Sequence, residues 1–552
     1  MKTTIPISAS RPWGAVLMLL AVAAALAPTP AQATSYWSET YGGPGGYEQV
    51  LNLRQMPDNS IIVAGTTDSF GTMTGDAWWI LLDADGAVLD ERVHGNSLPG
   101  AAAAVALDAD GGMAVVGAHT LDIFSDRDAW AHHVDAAGNI DWAVNFDAPG
   151  MHAFYAVAPA GDGGYIASGS TAESDMPPFS AWAVKLDGNG GVTWQKRYHG
   201  GLAEHANFVV QTQDGGYAIA GWTTSSGAGM TDVWLLKIDG NGLIQWQRTY
   251  GGFDQEEATG LIQTADGGFA LSAVTHTWTA AGMAAWVLRL DAGGDLLWHA
   301  VFEDAWSDFR GIVQTADGNL LATGRIAGPA SNDLWAVKLR ESDGGVIWQR
   351  AYEGDTGDWG NMSIELADSG LLIGGIWGYG FAQEDIWLQR TAADGQIPNC
   401  PLIRETDQES RSPIVTVQNG IAVAFAAAPL PEPIAFVSNP SSLTVDEKCR
   451  HATGVIDASD AGFRSQRISV APNPIRSSAT ISFRLEREAR ARIDLYDVSG
   501  RHLETLAEGL YQAGLQRLSW NEAEIGRLPA GAYFIALDLE GERHSLRVIV
   551  LR

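Results

Sequence analysis

Basic residues are scarce in this chain. Over 552 residues, 34 Lys and Arg stand against 65 Asp and Glu, a formal net charge of −31. Such a surface repels phosphate backbones and anionic headgroups, so neither nucleic acid nor an anionic membrane surface is an expected partner. Cysteine is scarcer still: Cys400 and Cys449 alone cannot frame a disulfide scaffold. Long apolar runs are lacking too. The longest, residues 15–27, falls short of the ~20 residues needed to span a bilayer, and no transmembrane segment is expected. Lys2 and Arg11 precede that run and Ala31-Gln32-Ala33 follows it, the three-part layout of a secretory signal peptide over residues 1–33. Also absent are the short patterns of common chemistry. None of the 12 histidines stands in an H-E-x-x-H spacing, and there is no C-x-x-C, G-x-S-x-G or P-loop. His132 and His133 are strand neighbours and point to opposite faces.

What the chain has is repetition. Phrases such as DVWLLKIDGNG recur seven times, led by Trp78, Trp130, Trp182, Trp234, Trp286, Trp335 and Trp387, at spacings of 52, 52, 52, 52, 49 and 52. A turn aspartate keeps the same phase at Asp58, Asp110, Asp162, Asp214, Asp266, Asp317 and Asp368. A second tryptophan follows at Trp142, Trp194, Trp246, Trp298 and Trp348, each with an aromatic four residues on, as in WQKRY. Each unit reads as four strands, for example ANFVVQT, YAIAGWT, VWLLKI and LIQWQRTY. Asp-Gly and Asn-Gly between them tolerate positive φ and signal tight hairpins. The third strand is apolar on both faces, which fits a sheet packed between two neighbours. Four strands in roughly 50 residues, seven times over, predict an all-β chain with a seven-bladed β-propeller over 34–395.

The seventh unit ends at Gly395 without a W-x-x-x-Y strand, and the orphan copy stands at Trp37 and Tyr41. Residues 36–42 are therefore expected to close the ring as the outer strand of blade seven, protecting its edge. The array resembles bacterial and archaeal extracellular propeller repeats that carry D-G-G-Y and D-x-W-x-x-K-x-D phrases, over residues 36–395. That resemblance implies a fold and leaves activity open, since propellers host enzymes and binding modules alike.

Beyond Gly395 the phase is lost. Residues 396–465, with the PLPEP patch, read as a small β-rich connector. An oxidising export route lets Cys400 and Cys449 pair there, closing a loop of about 50 residues worth about 4 kcal/mol in the chain-entropy model. Residues 466–552 alternate strands such as TISFRL, ARIDLYDV and AYFIALDL with Gly-containing turns, the pattern of a small Ig-like β-sandwich. Their phrases APNPIRSSATISF, DLYDVSGRHLETL, LSWN and LPAGAYFIAL carry Pro472-Asn473-Pro474, Asp497 with Gly500-Arg501, and Gly531-Ala532-Tyr533. These resemble the C-terminal sorting domain of the type IX secretion system, with the hook-capping Ig-like domain a near relative. The resemblance implies an outer-membrane secretion translocon as partner and a secreted or outer-surface destination. The final LRVIVLR matches that family's basic ending only loosely.

Candidate chemistry is sparse. The acidic turns LDADG, at 82–86 and 107–111, offer two carboxylates each against the six to eight oxygens of a calcium site. Turn geometry accounts for them, and neither metal nor cofactor is expected. The phrase DGNGGVTW at 187–194 is similar to the Asp-box turn of sialidase propellers but lacks its leading Ser or Thr. The positive lead is aromatic. Of 21 tryptophans, five stand off-phase: Trp222, Trp278, Trp306, Trp359 and Trp377. They fall at connections between strands two and three or between successive blades, all on the face opposite the Asp-Gly hairpins. GGIWGYGFAQED adds Tyr379 and Phe381. Rigid rings give large contact area at little entropic cost. These seven are the candidate ligand-binding residues of a binding or adhesion propeller for an extracellular glycan or protein, with no enzyme activity expected. One alternative is a carbohydrate hydrolase or lyase using Glu204, Glu256, Glu257, Asp308 and Asp358; the other is a structural surface spacer.

Overall fold

The computed structural model describes residues 35–550 apart from short internal stretches, the longest being 173–178 and 453–467, so the signal-peptide region lies outside it. Blade four illustrates the unit. Glu204–Gln211, Tyr217–Thr223, Asp232–Ile238 and Ile244–Gly251 form an antiparallel meander. The third strand is buried along its whole length, as a sheet packed on both faces requires. Meanders of this kind span 48–95, 100–147, 151–199, 204–251, 256–302, 307–352 and 357–391. Their first strands are neighbours all the way round, with Gly357–Glu365 returning to Glu48–Gln55. The chain is a seven-bladed β-propeller. Ser35–Gly42 pairs with Asp385–Thr391, Trp37 opposite Arg390, and supplies the outer strand of blade seven.

The repeated residues recur because they tie blade to blade. Trp194 donates its indole N–H to the Gly240 carbonyl (2.9 Å), and the Tyr198 hydroxyl donates to the Gly242 carbonyl (3.1 Å), both in the next blade's hairpin. The same clasp is made by Tyr352 on Gly395 (2.8 Å) and, across the ring closure, by Trp37 on Ala84 (3.3 Å) and Tyr41 on Gly86 (2.8 Å). Gly190, at φ 80°, shows why the hairpin needs glycine: a Cβ there would fall 2.7 Å from the Trp142 ring. In blades three to seven the turn aspartate has a second partner besides its own backbone. Lys185 reaches Asp162 (2.9 Å), Lys237 reaches Asp214 (2.9 Å), Arg289 reaches Asp266 (2.5 Å), Lys338 reaches Asp317 (2.7 Å) and Arg390 reaches Asp368 (2.7 Å). Burial works against the charge of Asp214, but hydrogen bonds from Thr212 and Lys237 hold its carboxyl down to about 2.

The segment after the seventh blade, where it is described, runs around the ring. Among the described residues its strands pair one by one with the outer edges of the blades, in reverse order. Ile403–Glu405 lies on blade six, Arg411 bridges Val301 of blade five, and Thr416–Asn419 lies on blade four. Val423–Ala426, Leu430–Pro433 and Val437–Asn439 follow on blades three, two and one. Thr444–Ala452 then returns to blade seven against Ser35–Gly42. The β-rich connector is a belt around the ring, pairing with the outer edge of every blade. A Cys400–Cys449 disulfide joins its two ends.

The tail has two sheets, Ile468–Ala471 with Ala479–Leu485 and Gly514–Trp520, and His502–Tyr511 with Ala489–Asp497, Gly531–Leu539 and Glu542–Val550. One core joins them, including Ile481, Phe483, Ile493, Trp520, Ile535 and Val548. Pro472-Asn473-Pro474 and Gly500 lie outside the described residues.

Candidate ligand-binding site

The first strand of every blade lines the centre of the ring and carries a β-bulge. The bulged residues are Leu51, Ala103, Tyr155, Asn207, Thr259, Arg310 and Asn361. A bulge re-aims a side chain without interrupting the blade. Two of them reach sideways to the next blade: Asn207 donates to Glu257 (2.7 Å) and Asn361 to the Val50 carbonyl (3.0 Å). Near the mouth end of the same strands, one cross-strand pair differs in every blade. It is Gln49–Thr66, Ala101–Ala118, Ala153–Ser170, His205–Trp222, Glu257–Val274, Asp308–Arg325 and Trp359–Ile376.

That variable column builds two clusters. In blades six and seven, the Arg325 guanidinium lies 4.4 Å from the Trp306 ring and 4.4 Å from the Trp359 ring. Its Nε donates to the buried Asp308 carboxylate (2.9 Å). Arg310, on the bulge, stacks on Trp359 at 4.5 Å and reaches Asp308 at 3.3 Å, with 40 % of its side chain exposed. Guanidinium–indole stacking of this kind is favourable and pre-sets the rings. In blades three and four, His205 stacks on Trp222 (4.2 Å between centroids), with Tyr155 and Phe179 beside it. Burial lowers the His205 pKa to about 4, so the ring is a neutral aromatic at pH 7.

The seven aromatic candidates separate. Trp306 and Trp359 come together around Arg325, and Trp222 sits with His205. Trp278 packs edge-on against the anchor Trp286, and Trp377 against the anchor Trp387 with the belt's Lys448 over it at 4.2 Å. The Tyr379 side chain and Phe381 lie outside the described residues. Sequence reasoning did not single out Arg310, Arg325, His205, Tyr155 or Phe179. Reading the repeats in columns would have found Arg325, which fills a slot held elsewhere by Thr66, Ala118, Ser170, Trp222, Val274 and Ile376.

The candidate carboxylates divide as well. Glu204 is fully buried and accepts from Thr223 (3.1 Å), Ser225 and the Gly200 N–H (3.0 Å). Glu256 does the same with Thr275 (2.9 Å) and the Gly252 N–H (2.8 Å), and Asp358 accepts from the Gly378 N–H (3.1 Å). These three brace loops. Glu257 and Asp308 both lie near Arg310, and burial raises the Glu257 carboxyl above its ordinary value.

Residues 469–551 match the secretion-system C-terminal sorting domain family. The propeller is thus the body of a protein secreted through the type IX system and attached at the cell surface. No curated protein matches the chain. Among solved structures it is similar to PorZ, a bacterial surface component of the type IX secretion system of Porphyromonas gingivalis. That match has 10 % identity over 90 % of this chain and 68 % of that one, with a TM-score of 0.33. It is also similar to Sqt1 of Chaetomium thermophilum bound to the N-terminus of ribosomal protein L10 (11 %, 64 % and 98 %, 0.37) and to the rhamnogalacturonan lyase YesW (10 %, 65 % and 76 %, 0.23). At these values the likenesses carry no statement about activity. Among the described residues no helix is long and apolar enough to cross a membrane.

Proposed function

We propose that this protein is a surface-displayed binding module whose propeller mouth engages an extracellular glycan. The observation that carries the reading is the stacked set Trp306, Arg325, Trp359 and Arg310, in which Arg325 and Trp359 come from the column that varies between otherwise repeating blades, Arg310 from a bulge and Trp306 from an inter-blade connection. Indole faces suit the C–H face of a sugar. The half-exposed Arg310 offers fork-shaped donors to a hydroxyl or carboxylate. His205 and Trp222 extend the aromatic surface around the mouth. Signal-peptide cleavage after Ala33 and recognition of residues 466–552 by the outer-membrane translocon complete the export route; the protein lacking 466–552 is then retained in the periplasm, and its appearance on the surface would refute that route.

The binding test uses the mature protein on an array of glycans and extracellular-matrix proteins. Trp306→Ala with Arg310→Ala is expected to lose glycan binding at nearly unchanged melting temperature. Undiminished binding, or capture of matrix proteins alone, overturns the reading. Glu257, its carboxyl raised by burial, and Asp308 both lie beside Arg310, which favours one second reading, a glycan hydrolase or lyase at the same mouth. Product formation that disappears in Glu257→Gln would establish it.

A further inference from the structure

The cation that strand three places under the turn aspartate is present in blades three to seven and missing from blade one. The residue in that register is Leu81. In blade two it is His133, which turns to Asp108 (2.8 Å) and Asp141 (2.9 Å). Asp58 and Asp110 are therefore turn aspartates with no cation partner among the described residues, unlike Asp162, Asp214, Asp266, Asp317 and Asp368. Their hydrogen bonds are to their own turns: Ser60 N–H (3.0 Å) and hydroxyl (2.6 Å) on Asp58, and the Gly112 N–H (3.2 Å) on Asp110. Those on Asp58 keep its carboxyl below the ordinary value, and therefore ionised.

Both carboxylates line one groove of about 310 Å³ between blades one and two, on the hairpin face. The rest of its lining includes Met56, Ile62, Trp79 and Leu81. We propose that this groove is a second binding site, which takes a lysine or arginine side chain of a polypeptide partner. The aliphatic stem lies along Leu81 and Trp79, and the cation meets Asp58 and Asp110. The molecule supplies its own precedent. In five other blades a cation sits on the corresponding carboxylate with over nine-tenths of its side chain buried. The guest provides from outside what blade one lacks within. Long basic side chains bury their stems while keeping the charge at a polar rim, an indole face adds attraction for the cation, and a net charge of −31 draws basic partners. The site differs in chemistry and in face from the mouth, and does not depend on it.

The test titrates the mature protein with the blocked tripeptide Gly-Arg-Gly, its lysine analogue, and an uncharged citrulline analogue of the same shape, followed by calorimetry and tryptophan fluorescence. The two cationic peptides are expected to bind saturably and the citrulline peptide about tenfold more weakly, the scale of one partly desolvated charge pair. Asp58→Asn with Asp110→Asn is expected to weaken the cationic peptides by about tenfold or more at unchanged melting temperature. Leu81→Lys, which restores the repeat's own cation, is expected to abolish binding, while Trp306→Ala leaves it intact. Absence of saturable binding, equal affinity for citrulline, or undiminished binding by the double Asn variant or by folded Leu81→Lys overturns the proposal.

Discussion

The hairpin face and the mouth face are made by the same seven units, yet one is nearly uniform and the other is not. On the hairpin face a recurring residue has two attachments. Asp214 shapes its turn and receives Lys237, while Gly242 permits its turn and accepts the Tyr198 hydroxyl. A change there loses both. At the mouth, the pair that is His205–Trp222 in blade four is Ala101–Ala118 in blade two, and both blades keep the same four-stranded meander. Repetition is held where a residue has a second partner, in its own blade or the next, and relaxes where its outer neighbour is solvent.

The severest way to break this comparison is at the ring closure. Removing residues 34–43 deletes the Trp37 and Tyr41 clasps and strips blade seven of the strand that also receives Thr444–Ala452. The melting temperature is expected to fall by about 10 °C or more; an unchanged calorimetric trace would show that the clasp does not hold the ring. A finer comparison sets one tryptophan from each face against the other. Trp194→Ala on the hairpin side is expected to cost about 2–3 kcal/mol in urea unfolding, for a half-buried ring and its hydrogen bond. Trp306→Ala at the mouth is expected to cost about 1 kcal/mol or less. Equal losses would erase the distinction.

The smallest effect is a matter of pH. Burial lowers the pKa of His94 and of His205 to about 4, against an ordinary 6.5. The unfolded chain therefore takes up protons first as the pH drops below 6.5. This stability is complete above 6.5 and is lost progressively down to about 4. The melting temperature should decline from pH 7 to pH 5, with a shallower slope in His205→Gln. Asp162 and Asp214, held below the ordinary carboxylate value, act lower down: their contribution is present above 3.8 and is lost as the pH falls below it, for Asp214 toward about 2. A flat profile between pH 7 and 5 would mean the histidines are not buried as described.

The propeller was legible because each blade repeats the same dual-purpose residues at the same phase, Trp182 and Asp162 in one unit answering Trp234 and Asp214 in the next. The belt was not. Thr416–Asn419 is exposed at all four residues and is a strand only because Ile244–Gly251 offers an edge to pair with. Such a segment owes its conformation to a partner and leaves no period of its own. The mouth was half legible. Tryptophans out of phase pointed to the face, but Trp278 and Trp377 pack on anchor tryptophans. Arg310 owes its aim to a bulge, which shifts the register by one residue and has no sequence mark beyond the repeat column.

The closed belt has a consequence for how firmly the propeller and the tail stay joined. Cys400 follows the last blade and Cys449 precedes the tail, so the main chain between them runs in parallel with a sulfur bridge. Ile414 in this stretch is 93 % exposed, the kind of position at which proteolytic nicking concentrates. A cut anywhere in 401–448 parts the polypeptide, yet the two fragments remain one molecule. Parting the propeller from residues 450–552 by a cut in this stretch then takes two chemically unrelated events, a nick and a reduction, and neither alone is enough.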